Sequence, residues 1–153
     1  MIAEYTRLLQ EESERVCGTA LPLELVLAIL LEKPVHLIES AGKKASFLRE
    51  AARLTGAGAI VHQERIEAVA PFVSDVVTAR ALAPLDRLLG YASRFSGPET
   101  LFLFPKGARV DDELTAAAKS WTMNVTRHQS ITDDDGVILA IRSVVSGGST
   151  GNI

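Results

Sequence analysis

The chain holds one cysteine among its 153 residues, and only 5% of them are aromatic. A lone thiol, Cys17, excludes an internal disulfide and a cysteine-only metal centre, and it fits a reducing compartment. The histidines His36, His62 and His128 are dispersed without metal-ligand spacing, so no metal is expected. No long hydrophobic run is present. The longest, LVLAILL at Leu25 to Leu31, falls far short of the roughly 20 residues that a bilayer span requires. The opening stretch MIAEYTRLLQEESERV carries acidic residues and lacks the apolar centre of a signal peptide. A cytoplasmic protein without a membrane partner is the expectation. Excess positive charge is lacking too: 16 Lys and Arg against 19 Asp and Glu give a net charge of -3. Nothing in that balance draws the whole molecule to a nucleic acid, and any such contact needs a local basic patch.

What is present is an ordinary globular composition, 47% hydrophobic, in a chain long enough to bury one core. We expect a single α/β domain over residues 1–145 and a frayed, polar tail, SGGSTGNI, over 146–153. The pattern alternates. EYTRLLQEESERV (Glu4 to Val16) reads as a polar amphipathic helix. PLELVLAILLEK reads as a largely buried helix with Pro22 in its first turn. VHLIE is a short strand. KKASFLREAARLTG is a helix with Ser40 as its candidate cap, Phe47, Leu48, Ala51 and Leu54 on one face, and Gly56 as its stop. AIVHQ (Ala59 to Gln63) and DVVTAR (Asp75 to Arg80) are strands, and APLDRLLGYASRF is a helix opened by Pro84. TLFLF (Thr100 to Phe104) has the unbroken apolar character of a strand covered on both faces. VDDELTAAAKSW is a helix with acids in its first turn, as the macrodipole favours. TMNVTRHQSI and VILAIRSVV, joined by TDDDG, read as a hairpin. The sum is a doubly wound α/β sheet with an antiparallel edge, and such sheets bind ligands at the C-terminal ends of their strands.

The residues that follow the strands are therefore the candidates. Glu39 and Ser40 follow VHLI, and Glu64, Arg65, Ile66 and Glu67 follow AIVHQ. Arg80 closes DVVTAR, and Lys106 with Gly107 follows TLFLFP. A charge at any one strand end is unremarkable. Carboxylates, arginines and a lysine converging on one edge suit a ribose-phosphate or another anionic substrate. Lys43 and Lys44 open a helix where cations oppose its dipole, so helix stability does not explain them; a solvated face or a phosphate partner does.

Five segments carry a resemblance: LIESAGKKASFLREAARLTGA, ERIEA, VVTARALAPLDRLL, LFLFPKGARVDDEL and TDDDGVILAIR. In this order and spacing they resemble the bacterial small-subunit ribosomal RNA methyltransferase G family, RsmG or GidB. The resemblance implies a Rossmann-like S-adenosylmethionine-dependent methyltransferase sheet, six strands parallel and one antiparallel. It implies methyl transfer from S-adenosylmethionine to N7 of a guanine in 16S ribosomal RNA, with the small ribosomal subunit as partner; a monomer is the expectation, though the sequence does not fix the oligomeric state. By position, Glu39 resembles the acidic residue that binds the adenosine ribose, and Ile66 and Glu67 the pair lining the adenine pocket. Arg80 resembles an arginine that binds cofactor near the reaction centre. Arg65 and Lys106 resemble basic residues that handle the RNA or its target base, making Arg80, Lys106 and Arg65 the catalytic candidates. Lys43, Lys44 and Lys106 are then the RNA-binding set. N7 already carries a lone pair, so the task is one of proximity and orientation, and a Ser/His/Asp or Cys/His set is not required.

The resemblance breaks at the family's glycine-rich loop, D-x-G-x-G-x-G-F/L-P-G. Counting back from Glu39, Pro22 falls on its proline and Leu21 on its large apolar residue. Glu14 stands for the Asp, and Val16, Ala20 and Leu23 stand for glycines. Gly18 alone remains, and with Leu21 it completes the cofactor-binding candidates. The family's N-terminal helices and first strand are thus expected to be missing or divergent. Two accounts fit: a truncated or frame-altered relative with an unrelated N-terminus, which the polar EYTRLLQEESE favours, or a strand rebuilt from SERVCGT. Two functions correspond: the rRNA methyltransferase, and an inactive family member that keeps the fold without binding cofactor. A nucleotide-binding dehydrogenase module is a third reading, but it leaves TARALAPL and FPKGARVDDEL unexplained.

Overall fold

The computed structural model describes residues 16–19, 22–80, 82–130 and 134–147, with backbone alone for 16–19, 22–24 and Leu27. The expected helix at Glu4 to Val16 lies almost wholly outside these residues, as does most of the tail. The strands are β1 (Val16–Thr19), β2 (Val35–Ile38), β3 (Ala59–His62), β4 (Val76–Thr78), β5 (Leu101–Lys106), β6 (Trp121–Gln129) and β7 (Val137–Ser146). The helices are α1 (Pro22–Leu31), α2 (Gly42–Thr55), α3 (Leu85–Ala92) and α4 (Val110–Ala117), with one 3-10 turn at Ser93–Phe95. One seven-stranded sheet runs in the order β3-β2-β1-β4-β5-β7-β6. Strand β7 is antiparallel to both of its neighbours, and the other strands share one direction.

The first strand is present, and it is central. Val16–Thr19 pairs in parallel with Val35–Ile38 on one side and with Val76–Thr78 on the other. This corrects the favoured expectation of a lost strand. The four residues VCGT form it. Val16, which stands for a loop glycine when counted back from Glu39, opens β1 and pairs with Val35.

Each face of the sheet carries a core. Helices α1 and α2 place Leu25, Ala28, Leu31, Leu48 and Ala52 over Val35, Leu37, Val76, Leu101 and Leu103. On the other face α3, the 3-10 turn and α4 place Leu85, Leu88, Leu89, Phe95 and Ala117 over Ile38, Val77, Phe102, Phe104 and Ile141. Alternation along β5 sends Leu101 and Leu103 to one core and Phe102 and Phe104 to the other, so all are buried and the run is unbroken.

Two details of α2 differ from expectation. Its N-cap is Ala41, not Ser40, and no side chain of that residue caps it; Glu39 does the work instead, its Oε1 accepting the Ala41 N–H at 2.8 Å. Its buried face is Ala45, Leu48 and Ala52, whereas Phe47 and Leu54 are 62% and 70% exposed. The small side chains at 45 and 52 let the helix sit close against the sheet, and the stripe through Phe47 and Leu54 is turned outward. Gly56 stops the helix as expected, in the left-handed conformation at φ 67°. Helix α3 ends sooner than the sequence suggests and tightens into the 3-10 turn, with Pro84 as its N-cap. Helix α4 ends at Ala117, and Trp121 opens β6.

The position of α2 sets unequal costs for two neighbouring truncations. Leu48→Ala should lower the unfolding free energy by about 2–5 kcal/mol. Phe47→Ala should change it by no more than about 0.5 kcal/mol. Urea denaturation of the two variants checks this, and the reverse ranking would contradict the observed orientation.

Candidate functional site

With β1 in the middle, the chain turns to β2 and β3 on one side and to β4 and β5 on the other. The switch point of the sheet is therefore between β1 and β4, where doubly wound sheets open a crevice at their C-terminal edge. A cavity of about 820 Å³ opens at this edge. Its floor and one wall come from the strand ends, with Ile38, Glu39 and Ser40 after β2 and Glu64 to Glu67 after β3. Arg80, just past β4, lies opposite. The remaining wall is Leu82, Ala83 and Pro84 with two residues of α3, Arg87 and Tyr91. Seven of the strand-end candidates, Glu39, Ser40, Glu64, Arg65, Ile66, Glu67 and Arg80, are thus brought together.

Each has a defined setting. The Glu39 N–H donates to the carbonyl of His62 at 3.0 Å, which fixes its backbone at the β2 edge. Its Oε1 is occupied by the Ala41 N–H. Its other oxygen has no partner among the described residues and remains an acceptor at the cavity. Arg65 and Glu67 make a loose ion pair, Nε to Oε2 at 3.8 Å, with both side chains largely exposed, so little holds either in place. Arg80 is exposed to the cavity and has no hydrogen-bond or ion-pair partner among the described residues. A permanently charged side chain left without a protein partner suits an anionic or polar ligand group.

Arg87 and Tyr91 were not singled out from the sequence. Arg87 Nη2 donates to the Tyr91 hydroxyl at 3.2 Å. The signal was available: Pro84, Arg87 and Tyr91 recur at helical spacing, while Leu85, Leu88, Leu89 and Ala92 form the buried face of the same helix. The polar stripe of a helix whose other face is core has to look at either solvent or a cavity.

Lys106 has a different setting from the one expected of a substrate-handling residue. Its side chain is 9% exposed and does not line the cavity. Its Nζ donates to Glu113 Oε1 at 2.8 Å and to the Ala83 carbonyl at 3.2 Å. Glu113 Oε1 also accepts the Leu85 N–H at 3.0 Å, satisfying a donor of the first turn of α3. The pair therefore ties the end of β5 and the first turn of α4 to the Ala83–Leu85 wall. Lys43 and Lys44 are exposed at the start of α2, beside the strand ends and outside the cavity lining. Gly18 lies within β1, paired with Leu37 and Thr78, and not in a phosphate-type loop. Leu21 lies outside the described residues. Among the described residues no group of three or more His, Cys, Asp or Glu is placed to hold a metal.

The donor set fits a nucleoside better than a bare phosphate. Glu39 offers an acceptor for hydroxyls, Ile66 an apolar surface for a ring, and Arg80 a cation further along the cavity. Solved structures share the fold. A TehB-like S-adenosylmethionine-dependent methyltransferase from Corynebacterium glutamicum superposes with a TM-score of 0.66 at 11% identity, covering 90% of this chain and 86% of that one. The N-methyltransferase NodS from Bradyrhizobium japonicum, in complex with S-adenosyl-L-homocysteine, gives 0.65 at 10% identity, covering 92% and 83%. Sheet order, antiparallel β7 and these neighbours define the class as the Rossmann-like methyltransferase fold.

Within that class the sequence is more specific. A family model described as rRNA small subunit methyltransferase G matches residues 17–141, and the chain belongs to that family. Curated proteins named ribosomal RNA small subunit methyltransferase G are similar to it. That of Paramagnetospirillum magneticum is 52% identical over 125 residues, 80% of this chain and 60% of the relative. That of Rhodospirillum centenum is 47% identical over 148 residues, 97% of this chain and 67% of the relative. That of Parvibaculum lavamentivorans is 51% identical over 126 residues, 78% of this chain and 56% of the relative. The chain thus spans less than about two thirds of the length of most of these relatives.

The Lys106–Glu113 tie is testable as structure. Glu113→Ala leaves a nearly buried ammonium and the Leu85 N–H without their acceptor and should cost about 2–3 kcal/mol of stability. The double variant Glu113→Ala with Lys106→Met should recover part of that loss in urea denaturation. Additive effects would contradict the coupling.

Proposed function

We propose that the chain carries out S-adenosylmethionine-dependent methylation of N7 of a guanine in 16S ribosomal RNA, as a soluble protein acting on the small ribosomal subunit. The observation that supports this most is the convergence of Glu39, Ile66, Glu67 and Arg80 on one cavity at the switch point of a methyltransferase sheet. Membership of a family described as an rRNA methyltransferase supplies the reaction class.

In this reading Glu39 accepts hydrogen bonds from the ribose hydroxyls, and its bond to the Ala41 N–H keeps the carboxylate aimed. Ile66 packs on one face of the adenine, and Glu67 offers an acceptor for its amino group. S-adenosylmethionine, when bound, supplies a methyl group on a positively charged sulfur. Arg80 and Arg65 would hold the target base; a guanidinium can donate to O6, the acceptor beside N7, and leave the N7 lone pair free to take the methyl group as S-adenosylhomocysteine departs. Attack by a lone pair makes orientation the main contribution of these side chains. Lys106 contributes through the wall that it holds. Lys43 and Lys44 meet the RNA backbone, where each neutralised phosphate adds affinity that falls with salt.

The test is methyl transfer from labelled S-adenosylmethionine to small ribosomal subunits that lack the modification. The chain should transfer label to RNA, and Arg80→Ala should lower the rate by about 10²-fold or more while the protein stays folded. A variant as active as the parent would remove Arg80 from the site. No transfer by the folded parent chain would contradict the proposal itself.

A further inference from the structure

The cavity wall that carries Ile66 and Glu67 has little to hold it in place by itself. It is a single turn in the long connection between β3 and β4, closed by Ala68 N–H to the Arg65 carbonyl at 2.8 Å and Val69 N–H to the same carbonyl at 3.3 Å. An isolated turn leaves the carbonyls at its far end unpaired, and it is marginal without outside support. Both of the carbonyls in question are taken by one side chain. Arg94, in the 3-10 turn after α3, donates Nη1 to the Ile66 carbonyl at 2.8 Å and Nη2 to the Val69 carbonyl at 2.9 Å. Its guanidinium stands 6.0 Å from the centroid of the Phe95 ring, and Phe95 and Val69 are buried in the same core.

We infer that Arg94 is a positioning residue for the adenosine end of the cavity, capping the Arg65–Val69 turn so that Ile66 and Glu67 stand where a purine would meet them. The inference rests on the cofactor reading above. Arg94 itself does not line the cavity. It follows the α3 stripe of Arg87 and Tyr91 by three residues, so this stretch supplies lining residues of the cavity and, a turn later, the clamp on the Arg65–Val69 turn. The fork geometry matters. Two parallel N–H donors meet two carbonyls on one turn, an arrangement that an ammonium cannot copy. A cation at the carbonyl end of a turn is also where its dipole favours one.

Two measurements on Arg94→Ala and Arg94→Lys, made beside the parent, test it. Hydrogen exchange of the ligand-free proteins reads the clamp: Arg94→Ala should lose protection at the Ala68 and Val69 amides while β4 and β5 keep theirs, and Arg94→Lys should fall between. Calorimetric titration with S-adenosylhomocysteine reads the consequence: Arg94→Ala should bind at least tenfold more weakly, and Arg94→Lys should recover part of the loss. Unchanged protection in Arg94→Ala, or affinity within twofold of the parent, would overturn the inference. A parent that binds no S-adenosylhomocysteine would defeat the cofactor reading and with it the role of the turn in binding; exchange would then decide only whether the clamp exists.

Discussion

Parallel pairing of β1 with β2 and β4 is the constraint on which the rest of the molecule depends. Val35, Leu37 and Val76 are fully buried, so the backbone groups beside them have no access to water and must be paired within the sheet. The four residues Val16–Thr19 satisfy both neighbours at once. Remove that strand and the β3-β2 pair separates from the β4-β5-β7-β6 block. Two buried edges are left open, and the crevice between the halves no longer exists. The cavity is a consequence of this order. Glu39 follows a strand on one side of β1 and Arg80 a strand on the other, and only the shared neighbour brings them together.

Once the strands set the edge, the cavity walls hang on two polar ties that join segments distant in sequence. The Lys106–Glu113 pair is nearly buried, and its oxygen serves two donors, one of them the backbone at the start of α3. Arg94 fixes the facing turn through two carbonyls. In both, a long basic side chain is used as a strut: its charge is largely spent inside the protein and not offered to a ligand. Arg80, Lys43 and Lys44 have no such partners among the described residues, and their charges are available. Acidic side chains divide in the same way, Glu113 inward and Glu39 with one oxygen held and one free.

Much of this was legible in the sequence. Periodicity gave the element order, because unbroken apolar runs such as LFLF and the DDDG turn each have few other readings. Residues after the strands gave most of the cavity, since the C-terminal edge of a parallel sheet is where the backbone leaves room. What was not legible depended on tertiary register. A four-residue strand, VCGT, has too short a pattern to announce itself, and the polar residues before it argued against any strand there. On α2 the stripe with larger apolar side chains looked like the core face, but Ala45 and Ala52 permit a closer approach to the sheet. The settings of Lys106 and Arg94 are set by partners 7 to 28 residues away in sequence, through side-chain bonds that no local pattern encodes.

The central claim is that a pocket able to hold S-adenosylmethionine survives although Gly18 alone stands where the family's glycine-rich loop has several glycines. Calorimetric titration of the folded 153-residue chain with S-adenosylmethionine tests it most directly. The account predicts saturable one-to-one binding in the micromolar range, weakened when Glu39 is replaced by Gln. A chain with an intact, cooperatively melting fold and no heat of binding at millimolar ligand would contradict it.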